Sequence, residues 1–419
     1  MKINNKNLLS ILLLGFSSGF PLALLTGTLT ARYTEAGLSI MTIGALSLIQ
    51  LPYLLKPLWA PLVDRFKLLP MARRRSWLLL TQILIALSLF VMSAIKAAVH
   101  PALLAYVALG VAFFAASFDI SYDAYRTDLL PEHERGAGAA MVALGYRLAL
   151  LVSGAFALVL ANYIGFRVTY LIMAVIMLSL TVVTALSADP NNDRHIATGL
   201  KNIWRDPLAD LFKRRNLILL LVFIVLYKLC DAFALSLSTT FLLRGLHFSL
   251  ATIGAAMKTV SLVATLLGAL LGGYMMRYIS LWQALFYFGI LQALSNSGYL
   301  LLAIIGKHFY VMIGAVFIEY FAGGLVAVAF VAYLTSMCNT KFSATQYALL
   351  SALASLGRVL VGPVAAISEV HYGWVGYFII SILLGLPPLV LLLVWRQKIS
   401  QVQPECMQSS FEIASQAGR

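Results

Sequence analysis

The chain has 419 residues, of which 61% are hydrophobic and 11% charged. Soluble domains carry about 25% charged residues and far less apolar surface, so this composition excludes a soluble globular protein and indicates a chain that crosses a membrane many times. A formal charge of +14 does not signal nucleic acid, because the Lys and Arg residues lie in short segments between apolar runs, where positive charge sets orientation.

A membrane helix needs about 20 apolar residues at 1.5 Å each. The first run, 8–31, follows "MKINNKN". It continues to Ala31 and shows no small-x-small cleavage site, so it reads as an uncleaved first helix rather than a signal peptide. Further runs cover 40–63, 76–95, 102–130, 137–161 and 167–187. Residues 188–215, "ADPNNDRHIATGLKNIWRDPLADLFKRR", are polar and of mixed charge. Within them, 200–213 reads either as an amphipathic helix on the membrane surface or as a solvated loop. Six more runs follow at 216–242, 250–275, 281–305, 309–338, 343–367 and 373–395. The expected architecture is an all-α membrane protein with twelve transmembrane helices. It divides into a six-helix bundle over 1–187, a linker over 188–215, a second six-helix bundle over 216–396 and a tail over 397–419.

Loop charge orients the chain. The N-terminus, the even-numbered loops and the tail carry 19 of the 30 Lys and Arg residues. The odd-numbered loops carry five: Arg32, Lys96, Arg167, Arg244 and Lys307. The positive-inside rule then places both termini in the cytoplasm, with "DRFKLLPMARRR" (64–75) the strongest contributor.

An octet repeats across the chain: "LSIMTIGA" at 38–45 and "FSLATIGA" at 248–255. The offset is half the chain, and both copies begin the second helix of their half. Parallel six-helix repeats are the plan of the major facilitator superfamily. Charges within the runs fit that plan. They are Lys56 on the second, Asp119, Asp123 and Arg126 on the fourth, Arg147 on the fifth, Lys228 and Asp231 on the seventh, Lys258 on the eighth, Glu319 on the tenth and Arg358 on the eleventh. The third, sixth, ninth and twelfth have none in their interiors, and these are the helices that a major facilitator fold exposes to lipid. A charge at mid-span costs roughly 2.5–3.5 kcal/mol on insertion scales, so each of these marks a bundle interior or a wet cavity.

Asp119, Asp123 and Arg126 follow a spacing of four and three, which puts them on one face. Helical rise places Asp119 about 16 Å and Arg147 about 15 Å from the cytoplasmic end, so the depths allow an ion pair. The group is either a lock between two helices or a site for substrate and proton. Lys228 and Asp231 are three apart and form a local pair. Glu319 has no cation within a helical turn and is the freer proton carrier.

Asp64, Arg65 and Asp128 stand at helix ends, where acids and bases hold a gate rather than a ligand. His133 reads as a solvated loop residue. Tyr53, Tyr122, Tyr125, Tyr146 and Tyr227 flank the charges, and Tyr122 and Tyr146 are candidates for contact with a sugar or planar ligand. Gly15–Gly19 and Gly268–Gly272 are small-xxx-small pairs that mark close helix packing. The three cysteines, Cys230, Cys338 and Cys406, lack metal spacing and imply no disulfide framework.

The stretches "LGFSSGFPLAL" (14–24), "LKPLWAPLVDR" (55–65), "DAYRTDLLPEHERGAGAA" (123–140), "LGYRLALLVSG" (144–154), "LYKLCDAFALSLSTTFLLRG" (226–245) and "FSATQYALLSALASLGRVLVGP" (342–363) resemble the AmpG muropeptide permeases of the major facilitator superfamily. The resemblance runs in order over nearly the whole chain. It implies proton-driven import of N-acetylglucosaminyl-1,6-anhydromuramyl peptides across the bacterial inner membrane for peptidoglycan recycling, by a monomer without cofactor or metal. The residues that match its motifs are Asp119, Asp123, Asp128, Arg147, Lys228, Asp231, Lys258, Glu319 and Arg358. With the reading of the buried charges, Glu319, Asp119, Asp123 and Asp231 are expected to couple protons, and Arg126, Arg147, Lys228, Lys258, Arg358, Lys56, Tyr122 and Tyr146 to contact substrate. The family's Gln before the first helix-4 acid is Phe118 here, and its Asn after the helix-10 acid is Tyr320. Longer members carry additional hydrophobic segments that this chain lacks. Two other readings stand beside it: an importer of another anionic solute, such as a siderophore or acyl-CoA, and a transport-dead muropeptide sensor. A sensor is expected to carry a larger cytoplasmic domain than the 188–215 linker. The spans hold no nucleophile–base pair or metal-ligand cluster, so no enzyme is expected.

Overall fold

The computed structural model describes residues 5–130, 135–189, 217–338 and 343–394. Among them are ten apolar helices long enough to cross a membrane. The first four are α1 (Lys6–Glu35), α2 (Ile40–Leu58), α3 (Arg73–Ala94) and α4 (Pro101–Leu129). Then comes a 47-residue run, Ala140–Leu186. At 1.5 Å per residue it is more than twice as long as a bilayer core is thick. Gly165, at φ 75° and ψ 161°, breaks it into α5 (140–164) and α6 (166–186). Next are α7 (Leu217–Gly245), α8 (Leu250–Met275), α9 (Leu281–Ile305) and α10 (Phe309–Ser336). The 46-residue run Leu349–Val394 is broken in the same way at Gly373, φ 63° and ψ −177°, giving α11 (349–372) and α12 (374–394). Twelve crossings thus stand among the described residues, as the sequence predicts. Where it predicts short loops near 162–166 and 368–372, single glycines make the turn, because only Gly adopts that backbone without strain.

Two compact units emerge, and they do not follow the midpoint of the chain. The first comprises Met1–Thr198, Leu235–Thr259 and Val359–Trp374. The second comprises Gly199–Ala234, Val260–Arg358 and Val375–Arg419.

In the first unit α1 and α5 pack through glycine. A Cβ on Gly145 would lie 2.1 Å from the Leu12 carbonyl oxygen, and one on Gly19 would meet the Tyr146 ring at 2.9 Å. Segments of α7, α8 and α11 join the same unit. Thr34 and Thr240 share a hydrogen bond of 3.1 Å, Arg244 Nη2 donates to the Thr34 carbonyl at 3.0 Å, and Ser47 Oγ donates to the Val359 carbonyl at 2.7 Å. Proline breaks the regularity of α2: Pro52 and Pro57 lack an N–H, and tighter 3₁₀ turns occupy 46–50 and 56–58.

The repeated octet has a physical basis. Ser39 Oγ accepts from Thr42 N at 3.2 Å, and Ser249 Oγ accepts from Thr252 N at 3.1 Å. In both copies the same serine–threonine pair caps the start of the helix. Gly44 and Gly254 hold the same place in the two octets, and each is a close-approach glycine. A Cβ would lie 2.5 Å from the Gly362 carbonyl oxygen in one case and 2.6 Å from that of Ala155 in the other.

In the second unit Phe223, Tyr227, Phe330 and Tyr333 form an aromatic core. Gly268 and Gly272 bring α8 against Phe321 and Leu325 of α10, as small-xxx-small spacing predicts. Exposed apolar side chains occur on α3, α6, α9 and α12 (Leu87, Val175, Ile304, Val390) and equally on α2, α4, α7 and α8 (Leu58, Tyr106, Ile218, Leu270), so exposure does not single out the four helices expected to face lipid.

Arg32 departs from its expected place. The sequence assigns it to a loop, but α1 continues to Glu35 and Arg32 is buried. Its guanidinium donates to the Met92 carbonyl at 2.9 Å and to the Ile95 carbonyl, and lies 5.0 Å from the Tyr170 ring. It thereby satisfies carbonyls at the C-terminal end of α3 that no helical N–H reaches.

Candidate functional site

Two clusters of ionisable side chains lie in membrane-spanning helices, one in each unit. In the first, Asp119 of α4 accepts a hydrogen bond from Ser18 Oγ of α1 at 2.6 Å. The charges that act on it are those of Lys56 and Asp123. The ion pair with Arg147 that matched depths allow is not formed among the described residues. Helical rise fixes height but not direction around the axis, and the partner side chains come from α1 and α2 instead. Asp123 and Arg126 do pair, at 2.9 Å, through their i, i+3 spacing on α4. Both are substantially exposed, so this pair contributes little to stability.

Lys258 of α8 belongs to the same unit. Its Nζ stands 3.5 Å from where a Cβ on Gly27 would lie, beside the π-helical turn Leu24–Thr28 of α1. Arg147 is half-buried on α5.

Tyrosines expected to flank a ligand are mostly engaged with backbone. Tyr122 Oη donates to the Ile11 carbonyl at 2.6 Å and the ring is buried. It stands against α1, as does Asp119 three residues before it. Tyr125 donates to the Ala188 carbonyl at 2.8 Å and Tyr227 to the Leu285 carbonyl at 2.9 Å. Tyr146 packs over Gly19.

At the helix ends, Asp128 lies 3.6 Å from Arg74. Arg75 donates to the Thr184 and Ala185 carbonyls and pairs with Asp189 at 2.6 Å. The basic run 73–75 therefore fastens α3 to α4 and to the end of α6. Arg65 is exposed over the Phe66 ring. The Asp64 side chain, His133, Cys406 and the proposed surface helix at 200–213 lie outside the described residues.

In the second unit Lys228 and Asp231 form the expected local pair, at 3.8 Å, and Lys228 Nζ also sits 5.8 Å from the centre of the Phe330 ring. Glu319 has neutral donors rather than a cation beside it. It is 1% exposed, and two side chains of α9 donate to it: Gln292 Nε2 to Oε1 at 2.7 Å, and Ser295 Oγ to Oε2. Asp231 lies within electrostatic range of it. The donors to Glu319 are thus neutral, and among the described residues Lys228 pairs with Asp231 rather than with Glu319. Sequence reasoning missed Gln292 and Ser295 because it searched the spans for charge. The signal was present as polar residues at helical spacing in an apolar run: Gln292, Ser295, Asn296 and Tyr299. Arg358 is exposed on α11.

An all-helical fold with ionisable side chains inside its spans suits a transporter. The profile of the Major Facilitator Superfamily matches residues 8–361. The chain belongs to that superfamily. Among its relatives, the anhydromuropeptide permease of Escherichia coli is 47% identical over 390 residues, covering 93% of this chain and 79% of that protein. The putative transporter AmpG 4 of Rickettsia felis is 33% identical, covering 94% of this chain and 97% of that one. These place the chain in the AmpG-like branch, as the motifs suggest. In solved structures, the nucleoside transporter NupG has the same fold at a TM-score of 0.73 and 12% identity, covering 95% of this chain and all of that one. A D-xylose–proton symporter follows at 0.71 and 12%, covering 92% and 97%. As a major facilitator protein the chain is a membrane transporter and not an enzyme.

Proposed function

We propose that this transporter imports N-acetylglucosaminyl-1,6-anhydromuramyl peptides across the inner membrane, driven by protons, for peptidoglycan recycling. The observation that carries the reading is 47% identity to the Escherichia coli anhydromuropeptide permease over 93% of the chain. Both termini lie in the cytoplasm in this reading, and the protein acts as a monomer.

The lactyl and peptide carboxylates of such a substrate need fixed cations. Lys56, Arg126, Arg147, Lys258 and Arg358 supply them, with Lys228 and Tyr146 as further contacts; Tyr122 supports α1. Asp119 and Asp123 keep the N-terminal cations oriented and compete with the substrate for them. Proton coupling falls to Asp231 and Glu319. Glu319 is buried and accepts from two neutral donors, and an uncompensated charge inside a span is costly, while Asp231, paired with Lys228, stands within electrostatic range of it. Each proton that enters contributes about 2.3 kcal/mol per 100 mV of potential. Asp64, Arg65 and Asp128 act as gate residues.

The test is uptake by a permease-null strain expressing this chain, with labelled disaccharide peptide and labelled siderophore in parallel. Uptake of the disaccharide peptide that an uncoupler abolishes supports the reading. Uptake of the siderophore alone would overturn it.

A further inference from the structure

Gln292, Asn296 and Tyr299 recur at four and three residues along α9, so they share a face. They are 4%, 0% and 0% exposed. Yet Gln292 Oε1, Asn296 Oδ1 and Tyr299 Oη have no hydrogen-bond partner among the described residues. Leaving a buried polar atom unmatched is costly, and folded proteins match such atoms with ordered water. Three on one helical face form a polar seam inside an otherwise apolar helix.

That seam touches the carboxyl pair. Gln292 and Ser295 donate to Glu319, and Asn296 Nδ2 donates to Cys230 Sγ at 3.2 Å, on the residue before Asp231. Tyr299 lies within electrostatic range of both acids. Beside the seam, Tyr227, Cys230, Gln292, Val326 and Leu389 line a small cavity with room for about one water molecule. Every one of these residues belongs to the second unit.

We propose that the α9 seam binds ordered water and conducts the proton of Glu319 to and from the aqueous phase. The inference rests on the proton-coupled reading above and adds a path and a ligand to it. In the releasing step a carboxyl O–H bond breaks and its proton passes to the oxygen of the neighbouring water. That water gives one of its own protons to the next acceptor along the seam, so only O–H bonds change. Glu319 is left negative, beside Asp231, which pairs with Lys228 on α7. The other titratable groups around the pair are Cys230 on α7, Tyr299 on α9 and Tyr320 on α10, with Tyr377 of α12 beyond Tyr299.

Isotope exchange tests this without substrate. Moving lipid-reconstituted full-length protein from H2O to D2O shifts the infrared C=O stretch of a protonated carboxyl, and the rate of that shift reads the proton's access to bulk solvent. Asp231→Asn and Glu319→Gln identify the band. Asn296→Leu and Tyr299→Phe each remove one unmatched atom without removing a donor to Glu319. The double variant is expected to keep the band and exchange it at least tenfold more slowly than wild type. Tyr299→Phe alone is expected to slow it in the same direction, and it carries the test if Asn296→Leu fails to fold. Exchange at the wild-type rate overturns the proposal. A wild-type protein with no protonated-carboxyl band at any pH at which it stays folded also overturns it, together with the assignment of the proton to Glu319. A protein that shows the band and the slowed exchange but takes up no disaccharide peptide leaves the seam intact and sinks only the substrate reading.

Discussion

Gly44 and Gly362 meet backbone to backbone: a Cβ on Gly362 would lie 2.1 Å from the Gly44 carbonyl oxygen, and one on Gly44 would lie 2.5 Å from that of Gly362. No ordinary side chain fits at either position without parting α2 from α11. Ser47, one turn from Gly44, is tied to the Val359 carbonyl in the same region. Gly362→Ala is therefore expected to lower uptake at least tenfold in protein that still reaches the membrane. Gly273→Ala is the control, since a Cβ there meets nothing within 4 Å. Equal uptake by the two variants would mean that this contact is not part of the transport cycle.

Asp119 is predicted to depend on Ser18 more than on Arg147. Ser18→Ala removes a hydrogen bond to a charged group, worth about 1.5–3 kcal/mol, and should lower the melting temperature in detergent. Arg147→Gln should leave it within error while weakening binding of the anionic substrate. A larger loss of stability from Arg147→Gln than from Ser18→Ala would restore the ion-pair lock that matched depths allow.

The two copies of the octet should respond alike. Ser39→Ala and Ser249→Ala each remove a helix cap of the same geometry, at a cost of about 1 kcal/mol. Thermal unfolding of the two single variants is expected to give shifts of equal size. A shift in one and none in the other would show that the octets are alike in sequence only.

Orientation is predicted from loop charge alone. A reporter fused after residue 200 should behave as cytoplasmic, as should reporters at residues 2 and 419. Periplasmic behaviour at residue 200 would remove the six-plus-six arrangement of 1–187 and 216–396.

The apolar runs were legible because a bilayer imposes one length on every crossing, and α4 and α9 lie within a residue or so of their expected bounds. The position of each charged residue along its helix was equally legible. Direction around the axis was not, because one helix carries no record of where its neighbours stand. The Asp119–Arg147 pair failed on that ground. Arg32 was misplaced because a charge ends an apolar run on paper, whereas in the fold it finds the carbonyls of Met92 and Ile95. The donors to Glu319 went unseen because an amide or a hydroxyl barely dents the hydropathy of a span, although Gln292, Ser295, Asn296 and Tyr299 together spell a helical face.

The turns at Gly165 and Gly373 bear on how the protein can be engineered. Each joins two membrane crossings through a single residue whose backbone, at φ 75° and φ 63°, suits glycine alone. No slack chain exists at either point to receive an epitope tag, a fused domain or a protease site. Insertions there must unwind a turn of helix on one side or the other before they reach water. Binders and labels are better directed to the junction of α1 and α2, where several residues separate the helices.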